Sequence, residues 1–141
     1  MTKKDIQNRV MLNGNPLQLC KFSWNATTKT FSSDEDCLVL NFRGIDKCTF
    51  NTGSDCIFKA GSGCTFNTGS DCIFDTGSDC TFKTSYSCIF RTYSSCTFRT
   101  GSGCTFDTSY SCTFDTGTNC VVVRRDIFEV IILKKDVTTQ L

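Results

Sequence analysis

The stretch Cys64-Thr-Phe-Asn-Thr-Gly-Ser-Asp-Cys-Ile-Phe-Asp-Thr-Gly-Ser-Asp79 is one octapeptide written twice, and its reading decides the fold. Outward from it, cysteines stand at 48, 56, 64, 72, 80, 88, 96, 104, 112 and 120, ten in succession at a spacing of eight. The consensus is C-[TI]-F-x-T-G-S-x, with Phe two residues after each Cys until Val122 replaces it. A short fixed period is the mark of a stacked-repeat architecture. Eight is even, so the two-residue alternation of a β-strand keeps its phase from copy to copy.

Numbering the octad from its Cys, position 4 carries Asn51, Lys59, Asn67, Asp75, Lys83, Arg91, Arg99, Asp107 and Asp115. Charges of this kind belong in water, so positions 2 and 4 point outward. Positions 1, 3 and 5, which are Cys, Phe and Thr, then point inward. Gly-Ser-x makes the corner, with the glycine expected to supply a positive φ. Position 2 sets the number of octads per coil. It reads Thr49, Ile57, Thr65, Ile73, Thr81, Ile89, Thr97, Thr105, Thr113, Val121. Two octads per coil sort these into a Thr column (Thr49, Thr65, Thr81, Thr97, Thr113) and a column of Ile57, Ile73, Ile89, Thr105 and Val121; three octads scramble both. On the Ile side position 4 alternates in sign, Lys59, Asp75, Arg91, Asp107, which makes stacked neighbours attract. The expected fold is all-β: a two-sided β-solenoid with 16 residues per coil and about five coils, roughly 24 Å long at the usual strand spacing.

The flanks lose the period. Residues 1–39 read as an N-terminal cap, with a short helix from Asp5 to Leu12 and a hairpin from Gln18 to Ser32 whose turn is Asn25-Ala-Thr-Thr28. Residues 40–127 form the solenoid, beginning with a degenerate copy, Leu40 to Lys47, that holds Phe42 in the Phe register. Residues 128–141 are a C-terminal strand or cap, or a segment that joins a partner.

Twelve cysteines in 141 residues first suggest a disulfide scaffold or a metal protein. The two strands of a coil run in opposite directions, so Cys faces Thr and Phe faces Phe. Facing sheets also lie about 10 Å apart, too far for a disulfide. The thiols are expected to be reduced, buried apolar groups, which implies a reducing, intracellular or virion-associated setting. No C-x₂₋₄-C pair offers tetrahedral zinc ligands, and corners bearing Asp55 and Asp71 are too short for calcium repeats, so no metal or cofactor is expected. The chain has no histidine, no phosphate-cradling loop and no evident carboxylate pair, and no catalytic residue is nominated. A net charge of +1 gives no reason to expect nucleic acid. The polar first residues do not resemble a signal peptide, and no apolar run suits a membrane helix.

What remains for function is the outward surface. The column Ile57, Ile73, Ile89 and Val121 is a contiguous apolar stripe, expected to be an interface and to support a homodimer, with the C-terminal strand as another route. The Thr column resembles the faces of insect ice-binding solenoids, but the rank beside it, Asn51, Asn67, Lys83, Arg99 and Asp115, is charged. The C-T-F-x-T-G-S-x run followed by Cys120-Val-Val-Val-Arg-Arg-Asp126 resembles octapeptide-repeat proteins encoded by large DNA viruses and phages. That resemblance implies a viral structural or accessory protein and no particular activity. The expected function is a non-enzymatic structural or interaction scaffold, with its protein partner unknown and with ice binding as the alternative.

Overall fold

The computed structural model describes residues 1–135 and 137–141. A short helix α1 (Lys3–Gln7) leads into β1 (Val10–Leu12) and β2 (Asn15–Pro16), a 3-10 turn at Leu19–Lys21, then β3 (Ser23–Asn25), β4 (Thr30–Ser32) and β5 (Leu38–Phe42). The repeats supply β6 (Thr49–Asn51), β7 (Ile57–Ala60), β8 (Thr65–Asn67), β9 (Ile73–Asp75), β10 (Thr81–Lys83), β11 (Ile89–Arg91), β12 (Thr97–Arg99), β13 (Thr105–Thr108), β14 (Thr113–Asp115) and β15 (Cys120–Arg124). The chain closes with β16 (Glu129–Leu133) and β17 (Thr139–Gln140).

Odd and even strands of the repeat separate into two sheets, ordered β16-β15-β13-β11-β9-β7-β5-β1-β2 and β17-β14-β12-β10-β8-β6-β4-β3. Thr65 pairs in parallel with Thr49 and Thr81, and Ile73 with Ile57 and Ile89, so one coil is 16 residues and two octads. This is the expected two-sided β-solenoid, with one more coil than expected. β4 pairs in parallel with β6, and β5 with β7, so the second strand of the β3–β4 hairpin joins β5 as the first rung of the stack and the coils number six.

The core is two columns of phenylalanine. Within a column the rings stack nearly flat: Phe66 and Phe82 have centroids 4.9 Å apart at 4°. Between columns they meet edge to face: Phe66 and Phe74 lie 5.1 Å apart at 76°. These are the two favoured aromatic geometries, and the parallel strand spacing sets the first of them. Phe31, Phe50, Phe58 and every repeat Phe through Phe114 are fully buried, each worth about 1.5–3 kcal/mol over an exposed side chain.

The first coil departs from the expected register. Leu40, not Phe42, pairs with Phe58, and Phe42 pairs with Ala60. Ala60 is the one alanine at octad position 5, and its small side chain leaves room for the Phe42 ring, which packs edge-on to Phe50 at 4.9 Å. The strand offset here is 18 residues, because Arg43–Lys47 forms a longer turn.

The corners also differ from expectation. Gly53, Gly61, Gly69, Gly77, Gly101 and Gly117, at position 6, do not have positive φ. The left-handed residue is position 8: Asp55 (φ 59°), Asp71 (59°), Asp79 (58°), Ser87 (57°), Ser95 (61°), Asn119 (58°), with Gly63 and Gly103 in two copies. Asp and Asn tolerate this region best among non-glycine residues. The position-6 glycine is there for space. A Cβ on Gly69 or Gly77 would stand 2.2 Å from the Oγ of Ser54 or Ser62 in the coil below. Those hydroxyls accept from the Ser70 and Ser78 amides at 3.0 and 3.1 Å, a ladder climbing each corner.

Both ends are sealed by antiparallel strands. β1 lies on β5 and β3 on β4; β16 lies on β15 and β17 on β14. The expected helix over Asp5–Leu12 is therefore shorter and earlier. Thr2 and Asp5 form a reciprocal capping box at its start, and Val10–Leu12 turns to strand because the β5 edge needs a partner. Arg125 closes a corner at the far end. Its guanidinium donates to the Thr92 carbonyl, lies 2.8 Å from Asp107 and covers the Tyr93 ring.

Candidate interaction surface

Because the octad alternates, each sheet shows solvent two outward columns, positions 2 and 4. On one sheet position 2 is Thr49, Thr65, Thr81, Thr97 and Thr113, paired strand to strand as expected, with Thr30 added below and Gln140 above. Beside them Asn67 donates its amide to the Asn51 side chain at 2.9 Å, and Asn51 to the Ser32 hydroxyl at 3.2 Å. Arg99 and Asp115 stand 3.7 Å apart in the same rank. This rank begins as an amide ladder and ends as ion pairs, so it has no single repeating chemistry.

On the other sheet the structure brings Ile57, Ile73, Ile89 and Val121 into one column, with Thr105 between the last two. The sequence reading missed its full extent. Val39 pairs with Ile57, Met11 with Val39, and Ile132 with Val121, so the column crosses eight successive strands with Thr105 as the one interruption. Ile73 is 42% exposed, Ile89 50% and Ile132 77%. Val39 was readable from the Leu-Val-Leu alternation. Met11 and Ile132 were not, because their strands are antiparallel caps outside the repeat. Along the same strands runs the charged column Lys59, Asp75, Arg91, Asp107. Two of its ion pairs are loose and exposed, Arg43 to Asp75 at 3.6 Å and Arg91 to Asp107 at 3.9 Å, and the close one is Arg125 to Asp107.

The inward thiols form two columns. From Cys64 onward each repeat Sγ reaches a corner carbonyl in the coil below, as Cys80 to Gly61 at 3.5 Å and Cys120 to Gly101 at 3.4 Å. Thr68 lies beside the Cys72 thiol and Thr76 beside the Cys80 thiol, the Cys-to-Thr meeting that antiparallel coil strands require. None of the twelve cysteines is bonded to another; Cys20 and Cys37 are exposed and the ten repeat cysteines buried. Neighbouring thiols in a column shift one another's ionisation. On the Thr side Cys64 and Cys96 are pushed up by the thiols beside them and by burial, while Cys48, Cys80 and Cys112 are held down by the thiols beside them. On the Ile side Cys104 is pushed up by the Cys88 thiol beside it, and Cys72 to about 11 by the Cys56 thiol beside it, with burial adding to both.

Among the described residues, no helix is long and apolar enough to cross a membrane, and no group of three or more Cys, Asp or Glu side chains is arranged to hold a metal ion. Compared with protein-family models, with curated proteins and with solved structures, the chain matches none.

Proposed function

We propose that the chain is a non-enzymatic scaffold that works by contact, and that the Ile-side face is its contact surface. The observation carrying this reading is the outward apolar column that continues through both caps, Met11 at one end and Ile132 at the other. Single exposed apolar side chains are ordinary on a soluble protein, whereas a contiguous stripe marks an interface. The rest of the molecule suits a scaffold. Its core is repetitive, and antiparallel strands from outside the repeat cover the first and last rungs of both sheets. The resemblance of the octapeptide run to viral and phage repeat proteins fits the same role, a structural or accessory component.

The reading is tested by the native mass of the chain in an extract of its source, wild type against Ile73→Lys. Ile73 points to solvent, so the variant folds, checked by an unchanged far-ultraviolet spectrum. A fall in native mass supports the contact face. An unchanged assembly overturns it.

The Thr face carries the second reading, ice binding, on the strength of its unbroken in-register Thr column. Its neighbouring rank of Asn, Lys, Arg and Asp weighs against it, since ice requires a regular uncharged array. Thermal hysteresis in the wild type that disappears in Thr81→Tyr would establish it; none in the wild type would end it.

A further inference from the structure

The geometry points to a second copy of this chain as the occupant of the Ile-side face, packed face to face about a two-fold axis that lies along the strand direction between Ile73 and Ile89. This deepens the contact-face reading and rests on it.

Symmetry and charge select this pairing. A two-fold along the strands reverses the order of the coils but keeps each residue's position along its strand. Position 2 therefore meets position 2, and position 4 meets position 4. Centred between β9 and β11, the rotation sets Ile73 on the partner's Ile89 and Ile57 on the partner's Thr105. At the rims it sets Val39 on the partner's Val121 and Met11 on the partner's Ile132, so the eight strands of the column close on themselves and β2 alone lies outside the pairing. The charged column reverses too. Lys59 meets the partner's Asp107, and Asp75 meets the partner's Arg91, so all four charges face opposite signs. A two-fold along the solenoid axis fails, because it keeps the coil order and lays the apolar column on the charged one. Self-complementary patches of this kind build closed dimers, and like charges in register would oppose the pairing.

The neighbouring charges are compatible with this arrangement. Arg43 already lies 3.6 Å from Asp75. Arg125 is turned to the corner, over Tyr93 and onto the Thr92 carbonyl, while its Nε contacts Asp107. Eight strands at about 4.8 Å give a stripe about 34 Å long and about 10 Å wide. That buries about 340 Å² on each copy, about 680 Å² in total and below the roughly 1,000 Å² of a stable interface, so the dimer is weak, reversible and concentration-dependent.

The test is sedimentation equilibrium of the purified full chain across a concentration series, followed by zero-length carbodiimide coupling of amines to carboxylates and peptide mass spectrometry. The expected mass rises from 15.7 kDa toward twice that value. The expected new cross-link is Lys59 to Asp107. Within one chain these residues are three coils apart, about 14 Å, beyond a zero-length bond, so the link reports the antiparallel pair alone. Ile73→Lys weakens the association at least 100-fold and Lys59→Glu about tenfold, while Thr81→Lys on the opposite face leaves it unchanged. A chain that stays monomeric at every concentration overturns the second-copy proposal; if assembly in the source extract still depends on Ile73, the contact face itself stands. A dimer that lacks the Lys59–Asp107 link, or that ignores Ile73→Lys, overturns the two-fold geometry.

Discussion

One face of the solenoid presents Thr49, Thr65, Thr81, Thr97 and Thr113 to solvent, and the other presents Ile57, Ile73, Ile89 and Val121. Beneath both lies the same inward triplet of Cys, Phe and Thr. On the Thr side the Phe66 ring stacks on Phe82 at 4.9 Å, and on the Ile side Phe74 stacks on Phe90 at the same distance. The difference teaches that the inward positions carry the fold and the outward ones are free to diverge. Two surfaces of opposite polarity stand on one core because strand alternation isolates them from it.

The sharpest way to break this comparison is to truncate the core on each side in turn. Phe82→Ala and Phe90→Ala each remove a fully buried ring that touches the other column edge to face at 5.0 Å. Each is expected to lose about 3–5 kcal/mol in chemical denaturation. Near-equal losses confirm that the two sheets share one core, and a near-neutral result at either site refutes it.

Alkaline pH probes a buried thiol of the Ile side next. Cys72 is pushed up to about 11 by the Cys56 thiol beside it and by burial, against a usual value of 9.0. A raised folded pKa means that its stability contribution is complete below pH 9 and is lost as pH rises toward 11. Such a thiol costs about 1.4 kcal/mol per pH unit across that window, so the melting temperature falls between pH 9 and 11. Cys72→Ala flattens part of that slope.

Corners join the faces, and Gly77→Ala probes one of them. The new Cβ would collide with the Ser62 hydroxyl, and a loss of about 1–3 kcal/mol is expected by equilibrium unfolding. Ser62→Ala in the same chain removes the closest contact and recovers part of the loss.

Thr92→Val works in the opposite direction. The Thr92 hydroxyl is buried and has no hydrogen-bond partner, so exchanging it for a methyl group is expected to raise stability by about 1 kcal/mol. The smallest stability effects belong to the outward residues themselves. Ile73→Lys and Thr81→Lys each change unfolding free energy by about 0.5 kcal/mol or less. They part company in sedimentation, where the Ile-side change alone is expected to abolish association.

Much of this was legible in the octad. Ten cysteines at a spacing of eight define which residues point inward, and alternation of Thr and Ile at position 2 defines two octads per coil. The corner was misread at the glycine. A G-S-x triplet invites a left-handed glycine, yet the fold uses glycine to admit a serine hydroxyl from the coil below and puts the left-handed backbone at Asp71 or Asp79. That contact lies between residues about 15 apart, Ser54 and Gly69, and no local turn rule can see it. The Phe42 register failed for a similar reason. Counting back by eight ignores the longer Arg43–Lys47 turn, and only packing shows that Leu40 fills the Phe column while Ala60 makes room for the ring.

By itself, the sequence determined the coil, its inward and outward faces and the chemistry of each column, because a repeated octad makes every copy report the same environment. The tertiary structure alone decided the sixth coil, the first-coil register and the length of the apolar column. These depend on the capping strands, which carry no repeat. Their pairing is chosen by the open sheet edges they must satisfy, β5 for Val10–Leu12 and β15 for Glu129–Leu133. An unpaired backbone edge is costly wherever it lies in the chain, so closing it is a property of the finished stack rather than of any local stretch.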